Sequence, residues 1–81
     1  MRTKPGLHDV VALLEEVRAT DFNTARPLLL HRGQIGTVVI MYPDGACEVE
    51  FADSDGRAYA ILPIHSNKLM VLHNVPDYAA A

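Results

Sequence analysis

Four histidines and one cysteine are the side chains of this 81-residue chain that could bind a transition metal. Short segments usually present two ligands to one ion through a C-x-x-C, H-x-x-x-H or H-x-H spacing, and no two of these residues are so placed. They are His8, His31, Cys47, His65 and His73. We therefore expect neither a metal ion nor any other cofactor, and we interpret the histidines as isolated surface residues.

Two acidic stretches have spacings that chemistry could use. Glu48 and Glu50 alternate along one predicted strand, so their Cβ atoms lie about 7 Å apart on one face, a distance compatible with acid and base catalysis. No residue that would form a pocket around them is evident, so we interpret them as the solvent face of the strand. Residues 53–56 (D-S-D-G) are similar to the start of a calcium loop, but Ile64 stands where that loop needs a bidentate carboxylate. The stretch 53–56 is therefore predicted to be a turn.

No side chain has the sequence context of a nucleophile. Cys47 has the same parity as Val49 and Phe51, which predicts a small apolar side chain facing the core and not an exposed thiolate. Ser54 stands in a predicted turn and Ser66 stands beside an asparagine, so neither has the context of a nucleophile elbow. We expect a protein that is not an enzyme and has no catalytic residues.

Four strands are predicted after residue 32. The two glycines of G-Q-I-G at 33–36 indicate a tight turn, since no helix opens there and no Lys-Ser or Lys-Thr completes a phosphate loop. Pro43 with the following Asp-Gly is typical of a hairpin turn. Pro63 and the sequence H-S-N-K are expected to break the third strand. The strands are 37–42, 47–51, 57–64 and 69–73.

Two segments before these strands are less regular. Residues 9–18 fit a helix with Asp9 as its N-cap and also fit an alternating strand, and propensity slightly favours the helix. Residues 18–32 form a long connection broken by polar residues and a proline, yet they contain Leu28, Leu29 and Leu30. Either these leucines cover the open end of the core or they form a contact surface for a second chain.

The predicted strand 37–42 is apolar at both alternating sets of positions. An ordinary half-exposed strand would alternate with polar residues, so something must cover the second face. The Leu28–Leu30 segment, the N-terminal segment or another subunit could do so. Because a chain of this size has a marginal core, the last option is energetically attractive, and we predict a homo-oligomer. The two sets are Thr37, Val39 and Met41, and Val38, Ile40 and Tyr42.

The stretches 9–16, 32–42, 44–62 and 67–72 together resemble a small bacterial family of unknown function that has an SH3-like barrel. The turn formed by Gly33, Gly36, Thr37 and Val38 is also similar to the glycine turn of ribosomal and elongation-factor KOW domains and of the nitrile hydratase beta subunit barrel. The resemblance implies that residues 9–18 contain the first strand and not a helix. It implies no catalytic residue, because the family has no assigned activity.

Charge argues against nucleic acid as a partner. The chain has a formal net charge of −3 and a pI of about 5.7, and the predicted strands and turns carry acidic residues while the arginines and lysines are scattered. No apolar run reaches the roughly 20 residues needed to cross a bilayer, and no secretion signal is evident, so we expect no membrane partner and a cytoplasmic location.

We predict an all-β fold, a five-stranded SH3-like small barrel over residues 9–75. Its long first connection could hold a short helical turn, and it is flanked by a flexible arm at 1–8 and a tail at 76–81. The predicted function is a non-catalytic protein-interaction module that binds its own copies or a partner chain. Leu28, Leu29, Leu30, Ile40 and Tyr42 are the predicted apolar contacts, and Glu48, Glu50 and Arg57 are the predicted charged rim.

Three other functions stay open at the level of sequence. The first is a nucleic-acid-binding barrel, in which tyrosines would stack on bases. The second is an antitoxin or accessory subunit of a neighbouring protein. The third is a small-molecule site at a subunit boundary, lined by Tyr59, His65 and the pair Glu48 and Glu50.

Overall fold

The computed structural model describes residues 4–80, and its regular secondary structure is β-strand except for one 3₁₀ turn, which confirms the all-β prediction. One 3₁₀ turn, Ser66–Lys68, precedes the last strand. The seven strands are β1 (Val10–Leu13), β2 (Val17–Thr20), β3 (Pro27–Leu30), β4 (Ile35–Met41), β5 (Ala46–Ala52), β6 (Ala58–His65) and β7 (Leu69–Val71).

Five of the strands form one antiparallel sheet in the order β6-β5-β4-β1-β7. The predicted segment 9–18 therefore contains a strand, β1, as the family resemblance implied and against the helical propensity. The four strands predicted after residue 32 are also present. Among residues 4–80, β6 and β7 form the two edges without pairing to each other, so the sheet is barrel-like but not closed.

The connection 18–32 forms a second, two-stranded sheet and contains no helix. Its tip is a single i→i+4 turn, in which the backbone N–H of Ala25 donates to the carbonyl of Asp21 at 2.7 Å. Strands β2 and β3 pair from Val17 opposite Leu30 to Thr20 opposite Pro27. The carboxylate of Asp21 ends β2 by accepting the backbone N–H groups of Asn23 and Thr24 at 2.8 and 3.2 Å, which closes a tight turn.

The core lies between the five-stranded sheet and this hairpin. Its centre is the inward side chains of β1, β4 and β5, with Phe51 as the largest fully buried residue. Leu30 of the hairpin is 2% exposed and closes the core, while Leu28 packs against it from a half-buried position. At the tip of the hairpin, the backbone N–H of Phe22 donates to the carbonyl of Tyr59 at the start of β6. The hairpin thus covers the inner face of the sheet.

The glycines of the predicted turns divide into two kinds. Gly33, Gly45 and Gly56 have φ of 90°, 92° and 80°, which L-residues rarely adopt, so they are turn glycines as predicted. Gly36 is not a turn glycine, because it lies within β4 and faces the core. A Cβ at this position would stand 2.6 Å from Cγ1 of Val49, so the position requires the absence of a side chain.

The strand β6 ends at His65, within the predicted break at Pro63 and H-S-N-K, but Pro63 itself does not interrupt the strand. It lies inside β6, opposite Glu48, and the strand continues to His65. The backbone N–H of Ser66 donates to the carbonyl of Gly45 at 2.9 Å. Because hydrogen-bonded pairs alternate along an antiparallel ladder, Pro63 is at a non-hydrogen-bonded position. Its nitrogen faces the open edge, where a missing N–H leaves no ladder bond unmade.

The last residues of the predicted N-terminal arm make hydrogen bonds to the rest of the chain. In the predicted arm 1–8, the backbone N–H of Gly6 donates to Oδ2 of Asp9 at 2.7 Å, and the N–H of His8 donates to the carbonyl of Val38 at 2.8 Å. Residues 1–3 of the arm and residue 81 of the tail lie outside the described residues. Within residues 4–80, no helix has the length and apolar character required to span a bilayer.

Candidate functional site

A β-bulge in β4 decides which of its apolar side chains face solvent. Val38 is opposite Val49, but Ile40 is opposite Glu48, so one extra residue of β4 is accommodated between these pairs. Val38 is fully buried, whereas Ile40 is 48% exposed. The prediction that Val38, Ile40 and Tyr42 share one face is therefore wrong for Val38, because the bulge reverses the alternation after it.

The outward side of the five-stranded sheet is mostly apolar. Cross-strand pairs place Val10 beside Thr37, Thr37 beside Glu50, and Glu50 beside Ile61. A second row joins Ile40, Glu48 and Pro63, and a third joins Ile35, Ala12 and Met70. We call this surface the outer face; its exposed apolar residues are Val10, Ile35, Ile40, Ile61 and Met70.

The exposure of these side chains is large for residues of their type. Ile35 is 57% exposed, Met70 is 50% exposed, and the other three are between 45% and 48% exposed. Single exposed apolar residues are ordinary, but five on neighbouring strands of one face form a patch. None of the seven described strands forms a second layer over this face, since the hairpin of β2 and β3 packs against the core side.

Glu48 and Glu50 are the charged residues at the outward strand positions of this face. Both are half-buried, because cross-strand neighbours stand on each side of them: Ile40 and Pro63 for Glu48, and Thr37 and Ile61 for Glu50. The Tyr42 hydroxyl donates to Oε1 of Glu48 at 3.1 Å. This hydrogen bond, with desolvation, raises the pKa of Tyr42 above its ordinary value.

No lysine or arginine occupies an outward position of the five strands. In the described part of the chain, Lys68 pairs at 3.0 Å with Glu15, which follows β1 and lies outside the outer face. Arg57 lies in the turn between β5 and β6, where its backbone N–H donates to Oδ1 of Asp53. The outer face therefore carries two carboxylates in an apolar surface without a cation at a neighbouring strand position.

The other predicted contact residues are not on the outer face. Leu30 is a core residue and is not available to a partner, while Leu28 is half-buried against the core. Leu29 is 47% exposed and, by the alternation of β3, points away from the core on the hairpin side of the molecule. The structure brings Ile40, Tyr42, Glu48 and Glu50 together. The three leucines lie in the hairpin of β2 and β3, and Arg57 lies in the turn that joins β5 to β6.

Sequence reasoning missed most of the outer face. Val10 and Ile35 belong to strands whose alternation could have shown an outward apolar residue, but their neighbours on the sheet depend on long-range register. Ile61 and Met70 are likewise outward only in the observed pairing of β6 and β7. The signal available in the sequence was the apolar excess at both sets of positions in β4.

Cys47 is fully buried and faces the core, as the alternation of side chains along β5 predicted. Its Sγ lies 3.7 Å from Sδ of Met41, the cross-strand partner on β4. Burial raises the pKa of the Cys47 thiol, which keeps it protonated at neutral pH. This environment is that of a packed side chain and not of an activated nucleophile.

A cavity of about 320 Å³ lies between the segment before β1 and the segment after β7. His8, Asp9 and His73 contribute to its lining, together with Val10, Leu72 and Asn74. The two histidines are far apart in sequence, so their approach was not predictable from spacing. None of Tyr59, His65, Glu48 and Glu50 lines this cavity. Within residues 4–80, no group of three or more His, Cys, Asp or Glu residues is arranged to hold a metal ion.

Comparison with known proteins gives one match. No curated protein and no solved structure matches the chain significantly. The family model described as "Domain of unknown function (DUF4926)" matches residues 7–71, a range that contains all seven strands and every residue of the outer face. The chain therefore belongs to this family of small domains of unknown function.

Proposed function

We propose that this chain is a non-catalytic protein-interaction module and that the outer face is its docking surface. The observation that carries the proposal is the exposure of five large apolar side chains on neighbouring strands of one open sheet. Surface patches of this kind, when contiguous and bordered by polar residues, are typical of protein–protein contact sites.

The energetics support docking over a purely structural role. Each exposed Val, Ile or Met side chain would release roughly 25 cal/mol per Å² of apolar surface that a partner removes from water. The inward side of the same sheet supplies the core, and none of the five outer apolar residues belongs to the core cluster. A partner chain gives these residues a role that the fold itself does not.

Self-association stays a prediction. A symmetric contact between two outer faces is a less favourable way for copies to associate than pairing through the strand edges. Such a contact would bury four glutamates between surfaces whose strands supply no lysine or arginine. The open edges of β6 and β7 offer another way for copies to pair, through backbone hydrogen bonds. Sedimentation of the purified chain over a range of concentrations distinguishes a monomer from an oligomer.

We also propose an SH3-like arrangement of the strands and a cytoplasmic location. The sheet order and the 3₁₀ turn before the last strand are compatible with an SH3-like arrangement, and we retain that assignment as part of the proposal. The single buried, unpaired cysteine is compatible with a cytoplasmic location. A role as accessory subunit or antitoxin is one biological form that an interaction module could take.

Nucleic acid is a poorer fit than protein to the outer face. A phosphate backbone requires lysine and arginine side chains along its path, and the outward strand positions of this face carry two glutamates. We expect the chain to show no salt-dependent retention on RNA or DNA columns. Retention that weakens as salt rises would favour the nucleic-acid alternative.

A capture experiment with matched variants tests the proposal. The wild-type chain, an outer-face variant (Ile40→Ser with Ile61→Ser) and a control variant (Leu29→Ser) are immobilised and exposed to lysate of the source organism. All three positions are 46–48% exposed, so each single substitution removes a similar apolar surface, and only Leu29 lies off the outer face. We expect a protein that the wild type and Leu29→Ser retain and that the outer-face variant loses.

The same variants also define the result that would contradict the proposal. Circular dichroism should show all three folded, because exposed substitutions usually change stability by less than about 0.5 kcal/mol. If every retained protein binds the outer-face variant as well as the wild type, then the outer face is not the docking surface and the proposal fails.

A further inference from the structure

The charge and spacing of the outer face specify the kind of partner, on the premise that this face is a docking surface. We infer that the partner presents an amphipathic helix whose apolar side contacts Ile40 and Ile61 and whose two cationic side chains, one turn apart, pair with Glu48 and Glu50. This inference names the chemistry of the partner and its orientation along β5.

The first step is the desolvation of the two glutamates. Both are half-buried between cross-strand neighbours, and any partner that covers the exposed apolar residues beside them also removes water from their carboxylates. A buried carboxylate without a counter-charge is strongly unfavourable. The Tyr42 hydroxyl supplies one neutral hydrogen bond to Glu48, and within residues 4–80 no hydrogen bond reaches the Glu50 carboxylate. The partner must therefore contribute the cations.

The second step excludes a second outer face as that partner. An outer face has no lysine or arginine at its outward strand positions, so another copy in any orientation could not neutralise the two carboxylates through this surface. The net charge of −3 adds a general repulsion between copies. A partner with basic residues is favoured on both counts.

The third step concerns the conformation of the partner segment. A sheet face offers side chains and no backbone hydrogen-bonding groups, since the ladder bonds of the inner strands are already made. A segment that docks there must satisfy its own backbone, and a helix does so while an isolated strand does not. Glu48 and Glu50 have Cβ atoms about 7 Å apart along β5, and helix residues at i and i+4 have Cβ atoms about 6 Å apart. Cations at i and i+4 therefore match the pair when the helix runs along β5.

Two synthetic peptides test the inference on the wild-type chain. Each is an amphipathic helix of about 18 residues with leucines on one face, since much shorter helices are marginal in water. The first carries lysines at one i, i+4 pair beside the leucines, and the second carries glutamates at the same two positions. Fluorescence anisotropy measures the dissociation constants, and amide chemical shifts locate the contact.

We expect the lysine peptide to bind about tenfold more tightly than the glutamate peptide at low salt, with a smaller ratio at high salt. Shifts should concentrate at Ile40, Glu50 and Ile61. The ratio should fall to about one in a chain with Glu48→Gln and Glu50→Gln. It should persist in the matched control with Glu15→Gln and Glu16→Gln, whose carboxylates are exposed and lie off the outer face.

Each other outcome overturns the inference. Equal binding of both peptides at the outer face means that the charges do not select the partner, although the face still docks protein. Shifts located elsewhere, or a lysine preference that survives loss of Glu48 and Glu50, mean that another surface binds. Failure of both peptides to bind removes the helical partner, while the capture experiment still decides whether the face docks another kind of protein. The comparison of peptides needs no variant, so it does not depend on any substitution folding.

Discussion

Gly36 has no side chain, and the space beside its Cα is occupied by the neighbouring strand. A Cβ built there would lie 2.6 Å from Cγ1 of Val49 and 3.0 Å from Cε1 of Phe51, both fully buried. The close approach of β4 and β5 at this point seats Phe51 in the core. Gly33 differs, because nothing lies within 4 Å of its Cβ position and only its φ of 90° favours glycine.

Substitutions at the two glycines should therefore separate crowding from backbone conformation. We expect Gly36→Ala to lower the free energy of unfolding by about 1–3 kcal/mol, the usual effect of overpacking a core. Gly33→Asn should have a smaller effect, since asparagine tolerates positive φ. Urea denaturation followed by circular dichroism measures both. A Gly36→Ala chain as stable as the wild type would show that β4 and β5 are not packed as described.

Titration of Cys47 should make the free energy of unfolding fall at alkaline pH. Burial raises the pKa of its thiol above the ordinary value of 9.0, so above that value the folded chain keeps a proton that the unfolded chain has lost. The free energy of unfolding is then unaffected below the ordinary pKa. It falls as the pH rises through the interval between the ordinary and the raised pKa.

The measurement compares the wild type with Cys47→Ala by urea denaturation at several pH values from 7 to about 10. At alkaline pH the free energy of unfolding should fall less in the variant than in the wild type. Because the pKa of Tyr42 is also raised, both chains carry Tyr42→Phe as a common background. An identical decline in both chains would mean that the Cys47 thiol titrates in the folded chain as it does when unfolded.

At the scale of elements, the hairpin of β2 and β3 acts as the second layer of the core. Leu30 and Leu29 are adjacent residues of β3 with opposite environments, one 2% exposed and the other 47% exposed. We expect Leu30→Ala to lower the free energy of unfolding by about 2–5 kcal/mol, as for other buried leucines. Leu29→Ala should change it by less than about 0.5 kcal/mol.

Thermal and urea denaturation of the two alanine variants test this arrangement. Similar decreases in the free energy of unfolding for Leu30→Ala and Leu29→Ala would indicate that Leu29 is covered in solution, for example by a second copy. A negligible loss at Leu30 would mean that the hairpin does not close the core. Either result would revise the description of the connection 18–32 as a covering layer.

Local signals in the sequence predicted the strands and turns well, because they depend on neighbouring residues. The β-branched run in β4, the alternation of β5 and the Asp-Gly turns each specify their own conformation. The hairpin within 18–32 was missed, since its two strands are short and its only close signal is the Asp21 turn. The bulge after Val38 was also missed, because a bulge is a property of the paired strand and not of one segment.

The candidate site depends on the pairing of strands that are far apart in the sequence, which local sequence patterns do not reveal. Ile40, Tyr42, Glu48 and Glu50 were predicted from alternation within one hairpin, and the structure places them together. Ile61 and Met70 join them only through the register of β6 and β7. Leu30 was predicted as a contact residue because the run of leucines could not reveal which member the core would take.

At the scale of the whole molecule, the domain has one core and one apolar surface outside it. The core is closed by the hairpin, and no described strand packs over the outer face. The family model of unknown function covers residues 7–71, a range that contains both the core and the outer face. A docking role for the outer face gives the exposed apolar side chains a purpose consistent with this division.

Hydroxyl-radical footprinting of the purified chain, in buffer and in lysate of the source organism, tests this docking role most directly. Leu29 and Phe22 are exposed residues of the hairpin side and serve as internal references. We expect labelling of Ile35, Ile40, Ile61 and Met70 in buffer, and a severalfold decrease at these four residues in lysate while the references are unchanged. Equal labelling of the outer face in both conditions, or protection confined to Leu29 and Phe22, would contradict the account.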